Sequence, residues 1–296
     1  MKKKGLLSIV LLALVFNLTG LKAQDVLNGV YVKQHIADKK PVPYQYLREA
    51  DVMWSKTVWR TIELKEKINF PLYYPINKIG ERMSLIDLLM WAIQNQGLTA
   101  YSPNLDDEFA TVMTVKDIED KFGAKDEKVM VENVEDPDGP MIEKTIEGTV
   151  RTNEVKQYML KELWFFDKQR SVLEVRIIGL APIRVFAKEV TGSEGTGGTE
   201  EEDEESMSKK LLFWVYFPEA RKILANHEVF NTLNDAEGKS YDDIFFKRMF
   251  SSYISQEANV YGNRMISDYT VGMESQLEAE RIKESIFSYE QDLWEY

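Results

Sequence analysis

The chain has 296 residues, enough for one large domain or two small ones, with the apolar and charged shares of a globular protein. Its 49 acidic residues outnumber 37 basic ones, and a formal charge of −12 excludes the basic footprint that nucleic-acid binding requires. The absence of cysteine excludes disulfides, thiolate metal sites, iron–sulfur clusters and Cys nucleophiles, and two histidines, His35 and His227, leave little for zinc or Ser-His-Asp chemistry.

Met1-Lys2-Lys3-Lys4, an apolar run from Leu6 to Phe16 and Ala23-Gln24 have the order of a secretory signal peptide, with cleavage expected after Ala23. Leu21 is larger than the small residue usual two positions before the cut. A retained anchor is the alternative, but the run falls short of the roughly 20 apolar residues that cross a bilayer. Cleavage would take four lysines and no acid, so the charge of the exported chain would be −16.

Residues 24–80 are expected to form an extended arm rich in aromatics and proline. The residue before each proline of Pro41-Val42-Pro43 is pushed out of the helical region. Between Ala50 and Glu66 the apolar positions fit a strand or a short helix. From 81 the pattern sharpens. Met83, Ile86, Leu89, Met90 and Ile93 recur at helical spacing and stop at Gly97. Thr114 and Asp117 open a short helix through Phe122. Strands follow at 128–134 and 141–150 around the turn Asp136-Pro137-Asp138-Gly139, then at 162–166, 171–178, 183–187 and 210–217. Residues 191–206 hold seven acids and four glycines, and are expected to be a disordered loop between neighbouring strands. The last 80 residues read as helical, with starts at Pro218 and at Ser240 with Asp243, a helical His227, and a final helix from about Glu274. The sum is an α+β domain over 81–296: an antiparallel sheet of about five to six strands, then helices.

No catalytic constellation stands out. Gly195-Thr196-Gly197-Gly198 lacks the Lys and helix of a phosphate loop, and the Asp136 turn lacks the spaced ligands of a calcium loop. A lone His227 makes a poor metal site. Asp167 and Glu174, near Trp164, are the best-placed carboxylates for a glycan hydrolase, against the plainer reading of strand-face charges paired with arginine. No cofactor or metal is expected. The aromatics Tyr44, Tyr46, Trp54, Trp59, Tyr73 and Tyr74 either cover the sheet or anchor a partner, and a glycan-binding module that stacks them on sugar is a third possibility.

Trp164-Phe165-Phe166-Asp167-Lys168-Gln169-Arg170, continuing to Pro182, resembles the gliding-motility N protein family (GldN, also called PorN). Leu212 to Arg221, Asp242 to Phe250, Asp292 to Tyr296 and Asp25 to Tyr31 are similar to it as well. The resemblance implies a non-enzymatic, ring-forming periplasmic subunit of the type IX secretion and gliding machinery. Its implied partners are copies of itself, an outer-membrane lipoprotein (the K protein) and the periplasmic part of an inner-membrane motor (the M protein). It carries over no catalytic residue.

Overall fold

The computed structural model describes residues 38–80, 82–103, 109–124, 127–131, 142–146, 150–187, 207–231, 234 and 236–293, the segments 127–131 and 142–146 by their backbone. The expected signal peptide with Ala23, His35, the Asp136 turn and the acidic segment 191–206 lie outside the described residues.

The first half contributes β1 (Val52–Glu63), α1 (Phe70–Tyr73), α2 (Leu85–Asn95), β2 (Ala100–Tyr101), α3 (Val115–Lys121), and β3 (Glu127–Val131) with β4 (Ile142–Ile146). The second half contributes β5 (Val155–Asp167), β6 (Val172–Ala187), β7 (Met207–Leu211), β8 (Trp214–Tyr216), α4 (Phe217–Ala225), β9 (Glu228–Val229), β10 (Lys239–Ser240), α5 (Tyr241–Phe246), β11 (Tyr253–Glu257) and α6 (Met273–Asp292). Seven strands form one sheet in the order β11-β1-β5-β6-β8-β2, with β7 also beside β6. Every pair in it is antiparallel. The expected α+β class, with a mid-chain antiparallel sheet and a C-terminal helix, is what the structure has.

β5 lies inside the sheet with none of its side chains exposed, its apolar residues Tyr158, Leu160 and Trp164 on one face and Met159 and Phe165 on the other. β6 returns from it through the Asp167–Val172 turn, pairing Phe166 with Leu173 and, at the far end, Val155 with Arg184. The two strands expected at 171–178 and 183–187 are therefore one. Gly179 and Pro182 break the sequence pattern, but each has a local reason to sit inside the strand. A Cβ on Gly179 would stand 2.7 Å from the Phe109 ring and 3.0 Å from that of Trp214, so only glycine fits. Pro182 lies where the neighbour of β6 changes from β8 to β7, and its carbonyl takes the Leu212 N–H at 3.0 Å.

Residues 52–63, within the expected 24–80 arm, are a strand of the sheet. β1 sits between β11 and β5, from Trp54↔Phe166 to Glu63↔Gln157, so 52–63 share the sheet with the region beyond 81. The ambiguity at 50–66 resolves to strand because both faces of β1 find apolar cover. The C-terminal 80 residues likewise return one strand, β11, to the sheet edge. The helix opened by Ser240 ends at Phe246, with Arg248 at φ 53°. α4 ends at Ala225, which leaves His227 just past the helix.

On one sheet face Ile62, Tyr158, Leu160, Leu180 and Val215 pack against α2, α4 and α5. Ser84, Thr114 and Ser240 cap α2, α3 and α5 by accepting the N–H three residues on, and the last two complete capping boxes with Asp117 and Asp243. Strand alternation puts Trp54, Val58 and Trp164 on the same face, where Ala279, Ile282 and Ile286 of α6 cover them. The opposite face buries Trp59, Met159, Ala181, Ile183 and Trp214 beneath Tyr101 and Phe109. Two ion pairs support this packing, one within the helix layer and one from it to the sheet. Arg221 clasps Asp242 with two hydrogen bonds of 2.8 and 3.1 Å. Arg248 reaches Glu162 at 2.9 Å, while Trp164 Nε1 donates to the same carboxylate at 3.1 Å.

A candidate interaction surface

Past β1 the chain turns sharply and is clamped by one side chain. Asn69, fully buried, donates to the carbonyls of Glu63 (2.8 Å) and Ser251 (3.0 Å) and accepts from the Ser251 N–H (3.0 Å). Pro71 then presets the first turn of α1, and Leu72 plugs the core. Tyr73 packs beside Leu72, with the Lys156 ammonium 4.4 Å from its ring centre and its hydroxyl on the Asn153 carbonyl. With those residues turned inward, Ile68, Phe70, Tyr74, Ile76 and Ile79 point to solvent, Ile79 at 68% exposure.

Of these, Ile68, Phe70, Tyr74 and Ile79 form one wall of an open trough of about 950 Å³. The other wall comes from 160 residues away: Phe230, Ile244 and Met249. Three cations border it. Arg82 lies 5.6 Å from the Phe230 ring centre and 3.6 Å from Glu228, and Lys67 and Lys239 complete the rim. Among the described residues no carboxylate lines the trough, on a chain whose net charge is −12. A contiguous apolar patch with a charged rim is the form of a protein-contact surface. A second set of exposed apolar side chains, Val271, Met273 and Leu277, lies at the start of α6.

The six aromatics singled out from sequence do not make one surface. Tyr74 belongs to the trough and Tyr73 supports it from inside. Tyr46 is 91% exposed and apart from the trough. Tyr44 is half-buried between the guanidinium groups of Arg176 and Arg221, 5.3 and 4.3 Å from its ring centre, and burial pushes its phenol above the usual tyrosine range. Trp54 stacks on Tyr289 of α6 at 4.9 Å. Trp59 is 2% exposed, inside the sheet. Strand alternation turns both rings toward packed layers, Trp59 fully and Trp54 in part. Ile68, Phe70, Ile79 and Phe230 were not anticipated. The run from Ile68 to Ile76 could have drawn attention, being apolar with neither helical nor strand period, but nothing local points to Phe230.

The two carboxylates weighed for hydrolysis share one arginine. Arg170 Nε donates to Asp167 at 2.7 Å and its Nη1 donates to Glu174. The Arg170 guanidinium, with the Gln169 N–H, holds the Asp167 carboxyl below the usual carboxylate range. A general acid needs the opposite shift, and a nucleophile needs access. Both are turn supports between β5 and β6. His227 sets its ring edge-on to Trp91 at 5.2 Å, with Nδ1 2.9 Å from the Ile223 carbonyl. Among the described residues no three acidic or histidine side chains converge as metal ligands, and no helix is long and apolar enough to cross a membrane.

A comparison with curated proteins finds no match. The family model described as gliding motility associated protein GldN matches residues 47–295, from just before β1 to beyond the end of α6. The match takes in every strand of the sheet and both walls of the trough, and the chain belongs to the GldN family of gliding motility associated proteins.

Proposed function

We propose that this chain is a non-enzymatic structural subunit of a periplasmic ring in the type IX protein secretion and gliding machinery. It is exported by its signal peptide, cleaved after Ala23, and lies at the inner face of the outer membrane. It assembles with copies of itself and with the outer-membrane lipoprotein K, and contacts the periplasmic part of the motor protein M. Its work is mechanical: heterologous contacts repeated around a closed circle pass motion from the inner membrane to an outer-membrane channel. Membership of the GldN family over 47–295 carries this reading. The exposed apolar trough and the second exposed apolar set at α6 support it, since each member of a ring needs at least two different contact faces.

Purification of the tagged chain from the envelope in mild detergent tests the proposal. A large ring by electron microscopy that contains a lipidated second protein supports it. A lone monomer with no co-purifying envelope protein overturns it.

A further inference from the structure

Away from the trough, an open cavity of about 300 Å³ is lined by three arginines, Arg170, Arg176 and Arg248, with the rings of Tyr44 and Phe246 in its wall. Glu174 is the one carboxylate among its described lining residues. The three guanidinium groups are not equivalent. Arg170 is held by Asp167 at 2.7 Å and by Glu174. Arg248 is held by Glu162 at 2.9 Å, from a backbone at φ 53° that strains any residue but glycine. Asp167 and Glu162 stand outside the lining, and each takes only part of the five N–H donors of its arginine.

Arg176 differs. Its nearest carboxylate oxygen, on Glu174, is 4.0 Å away, and its Nη2 donates to the Gln45 carbonyl at 2.7 Å. Its Nε is buried and has no acceptor among the described residues. A buried cationic N–H without an acceptor is rare in folded proteins, and an ion held beside it is one of the few reasons for it. The Tyr44 and Phe165 rings, 5.3 and 5.0 Å from the guanidinium carbon, fix the group in place. Three cations against one carboxylate give the lining a local excess of positive charge, on a chain whose net charge is −12.

We propose that this cavity binds a phosphate monoester of a small molecule. Its phosphate oxygens accept from Arg176 Nε and from the remaining N–H groups of Arg170 and Arg248, and its esterified group rests on Tyr44 and Phe246. A monoester carries close to two negative charges and three terminal oxygens, which suits the lining better than the single charge and two oxygens of a carboxylate. A bare phosphate would leave the two rings, 6.2 Å apart, without a role. The inference does not depend on the ring reading.

Titration calorimetry of the full chain with phenyl phosphate, inorganic phosphate and benzoate tests it. We expect saturable binding of phenyl phosphate with a Kd below about 1 mM, and benzoate weaker by roughly tenfold. Arg176→Gln should weaken both phosphates by roughly tenfold or more, as loss of a charge-assisted hydrogen bond implies. Phe246→Ser, at a half-exposed ring, should weaken phenyl phosphate and leave inorganic phosphate unchanged. Because Arg176 also holds Gln45, melting temperatures accompany each titration, and Arg176→Lys, which keeps the charge and removes the planar fork, serves if Arg176→Gln does not fold. No saturable binding of phenyl phosphate overturns the proposal, as does binding that ignores both Arg176 variants. Equal binding of benzoate overturns the assignment to phosphate. Cosedimentation with phosphatidic acid vesicles, lost in Arg176→Gln, would place the phosphate on a lipid and overturn the small-molecule ligand.

Discussion

β1 and the segment that follows it are neighbours in the chain and about equally apolar, yet they end in opposite environments. In 52–63, Trp54, Val58, Trp59 and Ile62 are packed on both faces of a strand flanked by β11 and β5. In 67–79, Leu72 alone of the apolar side chains is buried, and Ile68, Phe70, Tyr74, Ile76 and Ile79 are exposed. The difference is backbone geometry. A strand in mid-sheet offers both its faces to packing layers, whereas a short turn clamped by Asn69 has one inner side, already filled by Leu72 and Tyr73. Aromatic content alone says nothing about which case applies, because six in ten square ångströms of a folded surface are apolar in any event, by rough count.

Substitutions can break that contrast. Trp59→Ala should cost about 3–5 kcal/mol, which lowers the melting temperature by roughly 6–20 °C in a domain of this size. Thermal unfolding followed by circular dichroism reads it, and a shift of under 2 °C would mean that the ring is not in the core. Arg221→Ala strands the Asp242 carboxylate inside the protein and should cost about 3–5 kcal/mol, while Arg221→Met with Asp242→Leu should recover most of that. Chemical denaturation of the three variants separates these outcomes.

Next in size is an effect of pH at the start of α5. Burial pushes the Asp243 carboxyl up, but Lys39 and the Ser240 amide and hydroxyl outweigh it and leave it below the usual carboxylate range. A folded-state pKa below the unfolded one gives stability that is complete above the ordinary carboxylate range and is lost as pH falls through the depressed value. Asp243→Asn should therefore flatten the acid side of the stability curve, and Ser240→Ala should cost about 0.5–2 kcal/mol at neutral pH through the lost cap. An acid limb unchanged by Asp243→Asn would show that other carboxylates set it.

Smaller still, Phe230→Ser and Tyr74→Ser should change stability by no more than about 0.5 kcal/mol, since neither ring holds the core. They should nevertheless reduce recovery of envelope partners. A large loss of melting temperature would erase the distinction between the two regions. Least of all, replacing 191–206 by a short glycine-rich turn should leave the melting temperature within a degree or two. Ala187 and Met207 are directly paired across β6 and β7, and a shorter closure costs less entropy.

Local signals were legible where the chemistry is local. The capping pairs Thr114/Asp117 and Ser240/Asp243 marked two helix starts, and the period of Met83 to Ile93 marked α2. The hairpin of β3 and β4 followed from its turn, and β5 and β6 from their apolar runs. The site was legible only at Tyr73 and Tyr74. The packing of Trp54 and Trp59 was not legible because β1, read alone, has no visible partner strands, and its place in mid-sheet depends on β5 and β11, about a hundred and two hundred residues further on.

The sequence by itself determined the α+β class, the caps, the lack of cysteine chemistry and the resemblance to the GldN family, because composition, short-range spacing and motif wording are properties of neighbouring residues. Tertiary structure alone decided the rest. It joined two apparent strands into β6 across Gly179 and Pro182, because the fit of Phe109 and Trp214 above that glycine exists only in the folded sheet. It drew Asp167 and Glu174 to one arginine. It set Phe230 opposite Phe70 across a cation-rimmed trough, since burial and exposure depend on what the distant parts of the chain bring to each face.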